Sequence, residues 1–155
     1  MLKYFTFNRF VKWIFLWIAR SFPIPGNKRY IFLKMGGVKF KSRHPKKVAI
    51  YENVLFDTVA PHLITIGDNV GITTGCKILT HFIDPSQSGN KFRFGNVVID
   101  DGAFLGVNTI ICNSVTIGKG SIVGAGSVVT KDIPPGQVWA GVPARYISKQ
   151  SKSGY

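Results

Sequence analysis

Aliphatic residues fall at every sixth position through the C-terminal half of the chain. In the stretch 97–130, VVIDDGAFLGVNTIICNSVTIGKGSIVGAGSVVT, Ile99, Leu105, Ile111, Ile117, Val123 and Val129 keep this spacing without a slip. Two places before each stands a small or β-branched residue: Val97, Ala103, Thr109, Val115, Ser121 and Ser127. An earlier block repeats the pattern with Ile66, Ile72 and Ile78, preceded at minus two by Ile64, Val70 and Cys76. A period of six fits neither a 3.6-residue helix nor one ordinary alternating strand. It predicts very short strands separated by corners, with Gly, Asn or Asp making the turns. Repetition at that period is the signature of a parallel β-helix, whose coils stack and bury one aliphatic column. A different β-solenoid is the alternative.

Outside the clean repeats the pattern changes in four places. Residues 48–63, VAIYENVLFDTVAPHL, read as a first coil in imperfect register. After Thr80-His81 the hexads stop, and residues 82–95 form an excursion with Pro, Ser, Gly and two Phe flanking Arg93. A loop thrown out from a solenoid corner is a common place for function. Beyond Thr130 the prolines of KDIPPGQVWAGVPARYI stop the coil, and a short terminal strand is expected to cover its open edge. The polar residues 148–155 are expected to fray.

The N-terminal stretch, MLKYFTFNRFVKWIFLWIARSF, has no six-residue repeat. Drawn as a helix, it puts Arg9, Lys12 and Arg20 on one stripe with Leu16, while Phe7, Phe10, Val11, Ile14, Trp17 and Ile18 cover most of the rest. Its longest uncharged apolar run, Trp13 to Ala19, is far short of the ~20 residues a spanning helix needs. A basic amphipathic segment rich in Trp and Phe suits a bilayer interface. Its rivals are a helix packed on the solenoid or on a neighbouring subunit, and a signal peptide, which lacks a small-x-small cleavage site here. Pro23, Pro25 and Gly26 end this helix, KRYIFLK can form a second short one, and VKFKSRHPKK alternates briefly before becoming a basic loop. The chain thus divides into a basic amphipathic segment (1–47), a β-helix domain (48–147) and a polar tail (148–155).

Charge sharpens that division. Of 20 Lys and Arg, twelve lie in residues 1–51, which contain no Asp or Glu; the remaining eight face seven acids. Such asymmetry points to an anionic surface as partner. No nucleic-acid recognition motif accompanies it, so an anionic membrane surface is the expected partner and nucleic acid is not. Two cysteines, Cys76 and Cys112, sit inside the repeats, where no disulfide framework or metal spacing is visible. A reducing compartment fits. The expected location is therefore cytoplasmic, peripheral to the inner face of the plasma membrane.

Three histidines are candidates for chemistry. His62 and His81 sit at different phases of the hexad and His44 lies beside Pro45, so no metal site is expected. His81 stands apart, because it ends a hexad run in KILTH and opens the excursion. Imidazole, with an unperturbed pKa near ~6.5, can take a proton from a hydroxyl nucleophile. The oxyanion that forms as such a nucleophile adds to a carbonyl needs donors, which backbone N–H groups at Gly-rich corners could supply.

The strings TIGKGSIVGAGSVVTKDIPPG and AGVPAR, with the hexads from Val48 to Ile147, closely resemble the hexapeptide-repeat acyltransferases of the galactoside, maltose and glycan O-acetyltransferase group. That resemblance implies a left-handed parallel β-helix with three hexads per turn, a short N-terminal helical segment and an excursion loop at 82–95. It implies acetyl-CoA as co-substrate, His81 as general base and no metal. Gly106 and Val107 would line the thioester, Gly124 and Ala125 would let the pantetheine arm lie against the coil, and Thr130, Lys131 and Arg145 would meet CoA phosphates and the nucleotide end. Lys and Arg near a polyphosphate and glycines for close backbone approach suit that role on chemical grounds. FDTVAPHLITIGDN resembles the glycan branch, which would place Asp57 near the acceptor; Asn53 and Asp84 are further substrate-side candidates, Asp84 as a possible orienter of His81. Relatives are homotrimers with sites between subunits.

The function expected is an acetyl-CoA-dependent O-acetyltransferase acting on a carbohydrate hydroxyl, a cell-surface glycan or lipid-linked saccharide precursor. An N-acyltransferase on an amino sugar or small amine is the first alternative. A non-catalytic scaffold binding membrane or nucleic acid is the second.

Overall fold

Three parallel sheets of very short strands form the faces of a triangular solenoid in this computed structural model, which describes residues 6–83 and 91–151. The first sheet stacks β1 (Lys39–Phe40), β4 (Ile64–Ile66), β9 (Val97–Ile99) and β12 (Val115–Ile117). The second stacks β2 (Ala49–Ile50), β5 (Gly71–Ile72), β10 (Phe104–Leu105), β13 (Ile122–Val123) and β15 (Gln137–Ala140). The third stacks β3 (Leu55–Phe56), β6 (Lys77–Ile78), β11 (Ile110–Ile111) and β14 (Val128–Val129). The fold is the expected left-handed parallel β-helix.

Strand register places each key aliphatic over its counterpart one coil away: Ile66 over Ile99, Ile72 over Leu105, Ile78 over Ile111. Every hexad position singled out above, Ile66 to Val129, is fully buried, and so are Cys76, Thr109, Ser121 and Ser127 at minus two. The polar members of that set survive burial by bonding to backbone. Thr109 Oγ1 donates to Gly106 O at 2.7 Å and Ser127 Oγ to Gly124 O at 2.6 Å.

Two of the three corners turn through left-handed residues. After the second sheet these are Asn53, Gly75, Asn108 and Gly126, with φ between 56 and 77°; after the first they include Asn69, Gly102, Gly120 and Gly136. Asn is the side chain that tolerates this region best, and Gly carries no penalty there. Among the described residues the corner after the third sheet contains none of these. That difference leaves it open to ordinary side chains.

One boundary moves, and two irregularities expected from the sequence take a definite form. The first coil starts at β1, which pairs with β4, so the stack begins ahead of Val48. A 3-10 turn at Pro61–Leu63 adds residues between β3 and β4, which explains the imperfect register there. The excursion opens and closes as an antiparallel hairpin of β7 (His81–Ile83) and β8 (Phe92–Phe94). At the far end β16 (Arg145–Lys149) pairs antiparallel with β15 and forms the edge of the second sheet, as a covering strand should.

The N-terminal segment folds into α1 (Phe7–Ser21) and α2 (Arg29–Met35). Leu16 and Ala19 of α1 and Leu33 of α2 join the apolar cluster that contains Val48, Ile50 and Phe56. Gly36 permits the close crossing, since a Cβ there would lie 2.6 Å from Leu16 Cδ2. Arg29, fully buried, donates through Nη1 to the carbonyl of Ala19 near the end of α1 and faces Glu52 at 3.6 Å. No helix among the described residues is long and apolar enough to cross a membrane.

Candidate functional site

The corner that follows the third sheet collects the chemically useful side chains. Asp57 comes one residue after Phe56, and Thr80 and His81 come two and three after Ile78, so stacking β3 on β6 brings them together. Asp57 is buried to 1 % exposure, and both its oxygens are saturated with donors. Oδ2 accepts from Thr80 N–H (2.7 Å), Thr80 Oγ1–H (2.7 Å), His81 N–H (3.1 Å) and His81 Nδ1–H (2.6 Å). Oδ1 accepts from Val59 N–H (2.7 Å) and Ala60 N–H (3.3 Å).

Burial alone would push the Asp57 carboxyl up. The hydrogen bonds from His81, Thr80 and Val59 outweigh it and hold the group below its ordinary value, so it is a carboxylate near neutrality. An ionised carboxylate only accepts, so the neutral imidazole must carry its proton on Nδ1 and present the lone pair of Nε2. His81 is part-exposed, its ring 5.6 Å from Phe92 and 6.5 Å from Phe94 between centroids. Hairpin register puts His81 opposite Phe94 and Ile83 opposite Phe92, which sets all four side chains on one face. Ile83, Phe92 and Phe94 are each more than half exposed. The result is an oriented base inside an apolar collar.

The other candidates separate into two groups. Thr130 and Lys131 share the His81 corner two coils further on, about 10 Å along the axis at ~4.8 Å per coil. Thr130 O accepts from Asn113 Nδ2 at 3.1 Å, and Lys131 is exposed. Gly106, Val107, Gly124 and Ala125 line the opposite edge of the third sheet, and Arg145 follows β15 one level higher. One hexad of extended chain, up to about 20 Å, separates that edge from His81 within one chain.

Two substrate-side candidates take definite places in the fold. Asp57 lies buried behind His81 and bonds its Nδ1, which suits an orienting role; Asp84, the candidate for that role in the sequence, lies outside the described residues. Asn53 is a left-handed corner residue (φ 56°) whose N–H reaches Arg20 O at 3.4 Å, at the other edge of the sheet from His81. Gly106 and Gly124 are explained by stacking. A Cβ on Gly106 would lie 2.6 Å from Ala125 N, and one on Gly124 would lie 2.8 Å from Ala140 Cβ. Their N–H groups donate to Val123 O and Trp139 O, both at 2.8 Å, so neither is available to an oxyanion. Beside them Val107, Ala125 and Gly126 are exposed, and nothing lies within 4 Å of a Cβ built on Gly126, which leaves a smooth open strip. Among the described residues no three His, Cys, Asp or Glu side chains are placed to hold a metal ion.

Thr80, Phe92 and Phe94 are site residues that sequence reasoning did not single out. Thr80 and Asp57 were legible in principle, because counting from Phe56 and Ile78 puts them on one corner.

Comparison with known proteins agrees with this architecture. Residues 96–131 match the family described as bacterial transferase hexapeptide (six repeats). YvoF of Bacillus subtilis, a protein carrying the provisional name of an acetyltransferase, is 32 % identical over 134 residues, 86 % of this chain and 73 % of its own length. Galactoside O-acetyltransferase of Escherichia coli is 39 % identical over 101 residues, covering 63 % of this chain and 49 % of that protein. The chain thus spans about half the length of several curated relatives it matches, 54 % for one from Schizosaccharomyces pombe. Among solved structures, the hexapeptide-repeat acetyltransferase VCA0836 of Vibrio cholerae, complexed with acetyl-CoA, superposes with a TM-score of 0.69 at 26 % identity, covering 93 % of this chain and 87 % of that one.

Proposed function

The chain belongs to the hexapeptide-repeat transferase family, and from that premise we propose that it is an acetyl-CoA-dependent O-acetyltransferase acting on a carbohydrate hydroxyl. The observation that carries the reading is the buried Asp57 carboxylate holding His81 with Nε2 free for proton transfer. A sugar hydroxyl is a weak nucleophile, and a positioned base removes its proton as the oxygen attacks the thioester carbonyl. The C–O bond forms, the C–S bond breaks, and the proton held on His81 passes to the departing CoA sulfur. Asp57 stabilises the transient imidazolium through Nδ1.

The acceptor class is argued from the collar. Phe92 and Phe94 offer exposed aromatic surface beside His81, suited to the apolar faces of a sugar ring. A galactoside enzyme among the relatives supports the same class. For acetyl-CoA the support is the complex of VCA0836, together with the exposed strip Val107, Ala125 and Gly126 and the exposed cations Lys131 and Arg145. A guanidinium and an ammonium suit CoA phosphates. Because that strip and His81 occupy opposite edges of the third sheet, the reading includes a homotrimer in which His81 of one chain meets the CoA strip of the next.

The test is transfer of labelled acetyl from acetyl-CoA to a panel of mono- and oligosaccharides, followed by mild alkali. An alkali-labile product is expected. An alkali-stable product would assign an amine acceptor instead, and failure to bind acetyl-CoA in equilibrium dialysis would overturn the enzyme reading.

A further inference from the structure

We propose that α1 docks the protein on an anionic lipid bilayer, lying in the plane of its surface. This inference stands apart from the acetyl-transfer reading and does not depend on it.

The helix keeps large aromatics in water together with its cations, for Arg9, Lys12 and Arg20 are all exposed. A surface helix turns its apolar face to the core and its charged face to solvent. Here Leu16 and Ala19 are the buried positions, and they belong to the side that carries the cations. Arg9 and Lys12 line a cleft with Thr58, Val59, Pro61 and His62 of the first coil. Beside them Phe7 (83 % exposed), Trp17 (47 %), Trp13 (42 %) and Phe10 (40 %) stay in water, the two Trp with one flank lining a cleft with Leu16, Arg20, Val54 and Phe56, and Phe22 (50 %) extends the aromatic surface beyond the helix end. Phe10 stacks on Trp13 at 6.1 Å and Trp17 meets Phe22 edge-on at 5.7 Å, so the aromatics form one continuous surface. Fifteen helical residues give it a length of about 22 Å.

Charge decides what covers this surface. Residues 1–51 hold twelve Lys and Arg and no acid. A second copy of the same face would bring cations against cations, which opposes self-association. A layer of anionic headgroups over hydrocarbon matches both properties at once, with Trp and Phe entering the interface and the flanking cations reaching the headgroups. Nucleic acid would answer the cations but would leave a helical stripe of Phe and Trp without a role.

The experiment uses the full chain and vesicles of phosphatidylcholine with or without phosphatidylglycerol. The protein is expected to sediment with the mixed vesicles and at least about tenfold less with phosphatidylcholine alone, the binding weakening as salt shortens the Debye length from about 10 Å to 3 Å. Trp fluorescence of the wild type is expected to be quenched by brominated acyl chains in the mixed vesicles. The double variant Trp13→Gln/Trp17→Gln, which changes two positions each more than 40 % exposed, is expected to lose at least about tenfold in partitioning and nearly all of that quenching, with its oligomeric mass unchanged. Four results would each overturn the proposal. These are no sedimentation with anionic vesicles, undiminished partitioning of the double variant, a lower oligomeric mass in that variant (a subunit interface), and binding to duplex DNA without binding to vesicles. If the double variant does not fold, wild-type quenching decides: bound protein whose Trp emission is untouched by bromine contradicts in-plane insertion.

Discussion

Asp57→Asn tests the site at its most constrained atom. The amide keeps the shape of the carboxylate but supplies one oxygen where two are used. Six donors surround the group, four at Oδ2 and two at Oδ1. The best orientation leaves the amide oxygen with Thr80 and His81 and turns the NH2 toward Val59 N–H, 2.7 Å from the present oxygen. Donor then faces donor. One buried donor without an acceptor costs about 1–3 kcal/mol, and the remaining bonds lose the assistance of the charge, so destabilisation of about 2–5 kcal/mol is expected. In catalysis the amide no longer favours the Nδ1–H tautomer or stabilises the imidazolium. A drop of about 10²–10⁴ in kcat follows, or roughly 3–5.5 kcal/mol of barrier. The assay is CoA release at saturating acetyl-CoA, with urea denaturation on the same preparation. KM for acetyl-CoA should stay within about twofold, since the carboxylate is buried away from the CoA strip. A folded Asp57→Asn protein with kcat within about threefold of wild type would refute the orienting role. Thr80→Val removes one of the 2.7 Å bonds and leaves the Asp57–His81 contact in place. It should lose about 1 kcal/mol of stability and less than tenfold in kcat.

Other outcomes follow from the same geometry. Gly106→Ala should destabilise by about 2 kcal/mol or more, because its Cβ would meet backbone at 2.6 Å, whereas Gly126→Ala meets open space and should cost only the left-handed strain of about 1 kcal/mol; denaturation midpoints compare the two. Lys131→Ala with Arg145→Ala should raise KM for acetyl-CoA by about tenfold with little change in kcat, measured by steady-state kinetics. The Asp57 carboxyl is depressed by folding, so its stabilisation is complete above the unfolded carboxyl value of about 3.9 and is lost as pH falls through the lower folded value. The stability gap between wild type and Asp57→Asn should therefore shrink below about pH 4, as read by urea titrations across that range.

The solenoid was legible because its signal is redundant. Each of Ile66, Ile72, Ile78, Ile99, Leu105, Ile111, Ile117, Val123 and Val129 occupies the same buried column position, and a one-residue slip would expose them all. His81 was legible for a related reason, as the polar residue at which the repeat stops. Its pairing with Asp57 could be counted from Phe56 and Ile78 only once those two coils were known to stack, because Asp57 lies twenty-four residues away on a coil whose register is blurred by the 3-10 turn at Pro61–Leu63. Asp84, near in sequence, was the natural candidate for an orienter and lies outside the described residues, while local spacing says nothing about which corners stack. The glycines at 106 and 124 have a packing reason of their own. A glycine allows close approach of anything, and here the approaching group is the next coil. On α1 the amphipathic stripe was visible, but the face that turns inward was not. Leu16 turns inward although it shares its stripe with Arg9, Lys12 and Arg20, all of which stay exposed.

The most direct measurement is CoA release by wild type and His81→Ala, offered acetyl-CoA and saccharide acceptors, with acetyl-CoA affinity measured on both. His81 is part-exposed and donates its ring bond to a carboxylate that retains Thr80 and Val59 as partners, so the variant should fold. Turnover should fall by at least about 10²-fold while acetyl-CoA affinity stays within about twofold. Turnover at the wild-type rate in a folded His81→Ala protein would contradict the account.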